Sequence, residues 1–129
     1  MADKIVLVDT SILIDLFRKT DKANATLVAL VKQGYIYCIS AITEYEIYTG
    51  ATLGQISFWN TFLETTEVLA FDKTVAKVAV EINSDLKIKR KQIAIPDLFI
   101  AATAISSNLP FATLNRKHFD RIDGLNIIE

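Results

Sequence analysis

The sequence predicts an α/β domain built on a central, mostly parallel sheet of four to five strands. Apolar runs of strand length alternate with stretches whose apolar residues recur at helical spacing, which is the pattern of βα units. The first run, Lys4 to Val8, is continuous and rich in Ile and Val, as a strand covered on both faces requires. With 129 residues, 51% of them hydrophobic, the chain is long enough for one domain over 1–129 with a substantial core. No internal repeat, low-complexity tract or linker interrupts it.

Taken in order, the first strand ends abruptly at Asp9-Thr10-Ser11. Ser11 is a candidate cap for a helix presenting Ile12, Leu13, Leu16 and Phe17, and Asp21 for a second carrying Leu27, Val28, Leu30 and Val31. Gly34 suits the C-terminal cap that ends it. Tyr35 to Ile39 reads as the next strand, followed by a helix that starts at Ser40 or Thr43 and closes at Gly50. Beyond it Ile56, Phe58, Trp59, Phe62 and Leu63 fall at helical spacing and read as core rather than as a platform for stacking bases. Glu67 to Phe71 is the third strand, and Asp72 caps a helix with Val75, Ala76, Ala79, Ile82 and Leu86 along one side. A basic loop, Lys87 to Lys91, follows. Pro96 fits the first turn of a helix running to Ser107, Phe111 to Leu114 is a fourth strand, and Leu125 to Ile128 a weak fifth.

Composition narrows the function. One cysteine, Cys38, cannot close an intramolecular disulfide and sits in an apolar run suited to a buried thiol; with one histidine it cannot build a zinc cluster. The N-terminal apolar run is too short for a signal peptide and nothing approaches membrane-spanning length, so a cytoplasmic location without membrane association is expected. The net charge of −1 removes the global basic footprint of a nucleic-acid binder. Any such binding rests on a local patch, for which Lys87, Lys89, Arg90 and Lys91 are candidates; alone, they read equally as a solvated loop.

In an open parallel sheet, functional groups gather beyond the carboxyl ends of the strands. Asp9 ends the first strand, Glu46 lies early in the helix after the second, and Asp97 opens the helix leading into the fourth. Each also has a local role available: Asp9 at a helix start, Thr43 with Glu46 as a T-x-x-E capping box, Pro96-Asp97 as an ordinary helix opening. Jointly they would repel unless a cation compensated, and oxygen donors select hard ions such as Mg²⁺ or Mn²⁺. Such an ion supplies phosphodiester chemistry without histidine, whereas a single histidine, His118, excludes a two-histidine cleavage through the 2′-hydroxyl.

At these residues the sequence resembles the PIN-domain family and, within it, the VapC-like toxins of bacterial toxin–antitoxin systems. The matching segments are Ile-Val-Leu-Val-Asp-Thr-Ser at 5–11, Ser-Ala-Ile-Thr-Glu-Tyr-Glu-Ile-Tyr-Thr-Gly at 40–50, Ile-Pro-Asp-Leu-Phe-Ile-Ala-Ala-Thr-Ala at 95–104 and Ala-Thr-Leu-Asn-Arg-Lys-His-Phe at 112–119. The resemblance implies a three-layer α/β/α fold and a Mg²⁺- or Mn²⁺-dependent endoribonuclease that cuts single-stranded regions of RNA. Asp9 and Asp97 are then metal ligands, Glu46 holds the metal or orients water, and Ser11 hydrogen-bonds beside Asp9. Many members carry a further acid after the fourth strand; here that position is Asn115, preceded by Thr113, which favours one firmly held ion over two. A cognate antitoxin covering the active-site groove, a homodimer and phosphate binding by the basic loop are further implications.

Rival readings fit less well. A receiver-type signalling domain would use Asp72 as phosphoacceptor, but the first strand lacks a second acid beside Asp9 and no Lys-Pro follows the last strand. A haloacid-dehalogenase-like phosphatase needs an Asp where Ser11 stands, and the glycines at 34, 50, 54 and 124 make no nucleotide-binding loop. A catalytically weak PIN fold kept as an interaction module is the non-enzymatic alternative, motivated by the neutral Asn115.

Overall fold

A computed structural model describes residues 4–128. Strands β1 (Lys4–Val8), β2 (Tyr35–Ser40), β3 (Val68–Leu69) and β4 (Phe111–Ala112) form one sheet in the order β3-β2-β1-β4. Every pairing is parallel, with Lys4 to Leu7 in register with Tyr35 to Cys38, Leu7 with Phe111, and Ile39 with Val68. The carboxyl ends Val8, Ser40, Leu69 and Ala112 therefore share one edge. Successive side chains of a strand face opposite ways, and the core divides accordingly. Val6 and Val8 pack in a cluster with Leu13, Leu30 and Trp59, while Leu7 packs with Leu86, Ile100 and Phe119 on the other face. Helices α1 (Thr10–Arg18), α2 (Thr26–Lys32) and α4 (Leu53–Glu64) supply the first layer; α5 (Lys73–Lys89) and α6 (Ile95–Ser106) supply the second. The α/β three-layer arrangement is thus the one expected, and Trp59, 2% exposed, is core.

Several local assignments shift, each for a physical reason. Asp9 rather than Ser11 caps α1, accepting from the Ile12 amide at 3.3 Å. Asp21 caps only a single 3₁₀ turn, Lys22–Asn24, and the first amide of α2, on Thr26, is taken by Asp15 at 3.0 Å. The other end of α1 is closed by Lys22, whose Nζ donates to the carbonyls of Leu16, Phe17 and Lys19, each at 2.8 Å; a cation there also matches the helix dipole. Helix α3 (Ala41–Gly50) is capped by Ser40, so Thr43 and Glu46 form no capping box; the box is Thr52 with Gln55 at the start of α4.

The fourth strand is shorter than expected because Leu114 N donates to Ser11 Oγ at 3.0 Å and Asn115 N to Thr113 Oγ1 at 2.9 Å, which takes both amides out of the ladder. The fifth strand reduces to one bridge, Phe111 to Ile127, and a short helix α7 (Arg116–Phe119) that the sequence did not announce lies between. Lys87 and Lys89 stand in the last turn of α5, not in a loop, and Arg90 is its left-handed C-cap at φ 56°. Cys38 is buried, and burial foremost, with the Glu67 charge, pushes its thiol up to about 11, so it packs as a neutral group. Among the described residues, no helix is long and apolar enough to cross a membrane.

Candidate active site

Asp9 follows directly from β1, at the edge where the strands end. Its side chain is 3% exposed, yet three donors hold it. Oδ1 accepts from Ser11 Oγ and the Ile12 amide, and Oδ2 from Thr113 Oγ1 at 2.6 Å. Burial raises the pKa of this carboxyl above the ordinary range; the bonds from Ser11, Thr113 and Ile12 pull it back, and the Asp97 charge raises it further. A carboxylate offers about four lone-pair sites. With two used on Oδ1 and one on Oδ2, one site on Oδ2 is left for a further partner.

Glu46 sits on α3, brought to the same edge because α3 begins where β2 ends. Thr10 Oγ1 donates to its Oε1 at 2.7 Å and lies 3.1 Å from Thr43 Oγ1. A hydroxyl has one proton, and the acceptor-only carboxylate takes it, so the fully buried Thr43 donates in turn to Thr10. Ser40, also fully buried and 3.4 Å from Thr43 Oγ1, closes this row of hydroxyls. Asp97 is the third residue of α6, behind Pro96 in the first turn, and its Oδ2 lies 3.4 Å from His118 Nδ1.

Asp9, Glu46, Asp97 and Asn115 line one cleft of about 670 Å³. The structure thus brings the three predicted acids together with Ser11, and sets Thr113 behind Asp9. Asn115 adds no charge to that wall. Among the described residues, no three His, Cys, Asp or Glu side chains converge as a ready-made metal cage. The donor set nevertheless fits a hard cation. Mg²⁺ keeps several waters and is held by one or two carboxylates with substrate phosphates completing its shell. The excess of negative charge in the cleft, and the single lone-pair site left on Asp9, suit that mode.

The basic run lies apart. Lys87, Lys89, Arg90 and Lys91 are absent from the cleft wall, and Lys89 is bound to Asp123 at 2.7 Å and Asp85 at 2.8 Å, which raise its pKa. Asp72 accepts from the Val75 amide as the cap of α5 and does not line the cleft, so the phosphoacceptor role has no geometric support. Sequence reasoning passed over Thr10, His118 and Arg18. The first two meet their acids only through the fold, 36 residues separating Thr10 from Glu46; adjacency to Asp9 was the one available signal for Thr10.

The PIN domain family model matches residues 6–125. The chain belongs to the PIN-domain family. It is 32% identical over 128 residues to Ribonuclease VapC1 of Methanocaldococcus jannaschii, covering 96% of this chain and 87% of that protein. Among solved structures, this PIN domain is similar to VapBC2 from Rickettsia felis bound to a DNA fragment from their promoter, with TM-score 0.84, 26% identity and coverage of 96% and 97% of the two chains. It is equally similar to DNA-bound VapBC from Salmonella typhimurium, with TM-score 0.84, 26% identity and coverage of 99% and 98%.

Proposed function

We propose that this PIN-domain protein is an endoribonuclease that uses Mg²⁺ or Mn²⁺ at Asp9, Glu46 and Asp97, and that it acts as the toxin of a toxin–antitoxin pair. The observation that carries the reading is that three carboxylates, Asp9 just after β1, Glu46 on α3 and Asp97 on α6, line one cleft at the carboxyl edge of the sheet. Similarity to Ribonuclease VapC1 and to VapBC structures supports reading RNA as the substrate class and an antitoxin as the partner. A second copy of the chain is the further partner, consistent with exposed apolar side chains such as Leu53, Val80 and Ile88.

A divalent cation in the cleft supplies a nucleophilic water at neutral pH and charge neutralisation at the phosphoryl oxygen. The chain's own groups prepare for it. Ser11, Thr113 and the Ile12 amide fix Asp9 so that only Oδ2 has a site to offer. Thr10 fixes Glu46 by one oxygen, and among the described residues no donor reaches Oε2, which is left to accept a proton or a hydrogen bond from water. Asp97, one quarter exposed, faces the cleft from α6.

The test is cleavage of single-stranded RNA by the purified chain with Mn²⁺, its arrest by a chelator and its return when Mn²⁺ is restored. Attack by water leaves no 2′,3′-cyclic phosphate on the products. Cleavage that persists in chelator, or cyclic phosphate ends, would overturn the reading.

The hydroxyl row predicts a second effect. Replacing a group that orients a metal-binding carboxylate typically costs about 10- to 100-fold in metal affinity or activity. Thr10→Val is expected to weaken Mn²⁺ binding and cleavage by about tenfold, the low end of that range, whereas Thr10→Ser, which keeps the hydroxyl, stays near the parent. Calorimetric Mn²⁺ titration of all three proteins checks it.

A further inference from the structure

The acid cleft has two distinct exits. On one side it shares Ile14, Arg18 and Glu46 with a pocket of about 260 Å³ that runs along α1 toward Trp59. On another it shares Leu114 and Asn115 with a pocket of about 320 Å³ walled by Arg116, Lys117 and His118. These two flanking pockets have no lining residue in common, so the three form a trough with the acids in its middle section.

Cations stand at both exits, and two of them are uncommitted. Arg116 donates to the Ile128 carbonyl, and Lys19 lies 3.7 Å from Asp15, whose other oxygen already holds the Thr26 amide. Arg18 and Lys117 are exposed, and among the described residues neither is paired with a carboxylate. An exposed cation beside an acidic cleft, but not neutralised by it, is placed to meet an anion arriving from outside. Between Asp9 and Arg18, α1 rises roughly 13 Å at 1.5 Å per residue. Arg18 nevertheless lines the acid cleft as well as the pocket beyond it, so its guanidinium stands at the boundary between the two, beside a phosphate held over the acids.

From this we infer that Arg18 and Lys117 form a two-point clamp for the backbone of single-stranded RNA, one phosphate at each exit and the scissile phosphate between them over Asp9, Glu46 and Asp97. The inference rests on the ribonuclease reading and replaces the 87–91 run as the site of phosphate contact. It follows the electrostatics of the trough. Acids without a cation repel every phosphate of an approaching strand, so attraction has to come from the rim, and charges at two separate exits fix the strand's path as well as its affinity.

The experiment measures the salt dependence of binding of a labelled single-stranded oligouridylate to the Asp9→Asn protein, which keeps the probe uncut. For single strands the slope of log K against log salt changes by about 0.7 per phosphate contact. Arg18→Gln and Lys117→Gln should each flatten the slope by about 0.7 and the double variant by about 1.4. Arg18→Lys, which keeps the charge, and the Lys87→Gln/Lys91→Gln pair should leave it as it was. An unchanged slope in the Arg18→Gln/Lys117→Gln protein, an equal loss from the 87/91 pair, or no binding of the probe at all overturns the clamp. Cleavage by the unmutated chain with Mn²⁺ is read in parallel. Cleavage with unchanged slopes removes the clamp alone; the expected slopes without cleavage support the clamp and remove the ribonuclease reading.

Discussion

Asp9→Asn is expected to lower RNA cleavage by roughly 10³-fold or more, because charge stabilisation by a bound cation is worth several kcal/mol and each 1.36 kcal/mol is a factor of ten in rate. The same variant should melt no lower than the parent. Asn keeps a carbonyl oxygen to accept from Ser11 and the Ile12 amide, and its amide nitrogen can donate to Thr113 Oγ1. The substitution also removes a charge whose burial is unfavourable, as the raised pKa of Asp9 records. For an acid whose pKa is higher folded than unfolded, the native state binds the proton more tightly, so its contribution is complete below the ordinary carboxylate value and is lost as pH rises through the raised one. The Asp9→Asn protein should therefore gain on the parent as pH climbs through that window. Mn²⁺ reverses the order. At a hundredfold excess over Kd, ligand binding adds about 2.7 kcal/mol to the parent and nothing to a variant that has lost the site. Melting curves over a range of pH, with and without Mn²⁺, beside gel assays of RNA cleavage, check all four outcomes. Cleavage within tenfold of the parent would remove Asp9 from the chemistry, and a large fall in Tm without metal would make it a structural group.

Local chemistry was readable wherever a residue's role depends on its near neighbours. The Ile- and Val-rich run before Asp9, the cap at Asp72 and the proline at the head of α6 all stand where the pattern put them, and so do the acids that those elements carry to the sheet edge. Competition between near-equal local partners was less readable. Ser40 and Thr43 could each have capped α3, and packing settled it in favour of Ser40, leaving Thr43 to face Thr10. Long-range partners were not readable at all. Asp123 against Lys89 and His118 against Asp97 follow from tertiary proximity, which neither periodicity nor charge count encodes. The difference between the basic run noticed in the sequence and the clamp proposed above has that origin. Charge density along the chain drew notice to 87–91, whereas the uncommitted cations of the cleft are Arg18 and Lys117, isolated in sequence and joined only by the trough.

Phe111→Ala is expected to be the most damaging single change to stability, at about 4 kcal/mol, within the range for emptying a fully buried phenylalanine. The ring is 0% exposed, lies 4.8 Å from that of Phe119 and packs with Leu7 against α6. Its backbone is equally committed, accepting from the Ile128 amide and donating to the Asn126 carbonyl, so the residue binds the C-terminal segment to the sheet. In a domain of this size such a loss lowers Tm by about 15 °C. Phe58→Ala is the natural comparison, since Phe58 is also packed against aromatics but is 36% exposed and can be replaced in part by water; it should cost less than half as much. Urea titrations of both variants measure this as a shift in midpoint at constant slope. Equal midpoints would show that the sheet edge collapses to fill the space. The functional consequence follows from chain geometry. Thr113, which holds Asp9 Oδ2, directly follows the two-residue strand that begins at Phe111. A cavity at Phe111 loosens that support, so cleavage by the folded fraction of Phe111→Ala should fall severalfold, while Phe58→Ala, on the opposite layer, loses stability and keeps its rate.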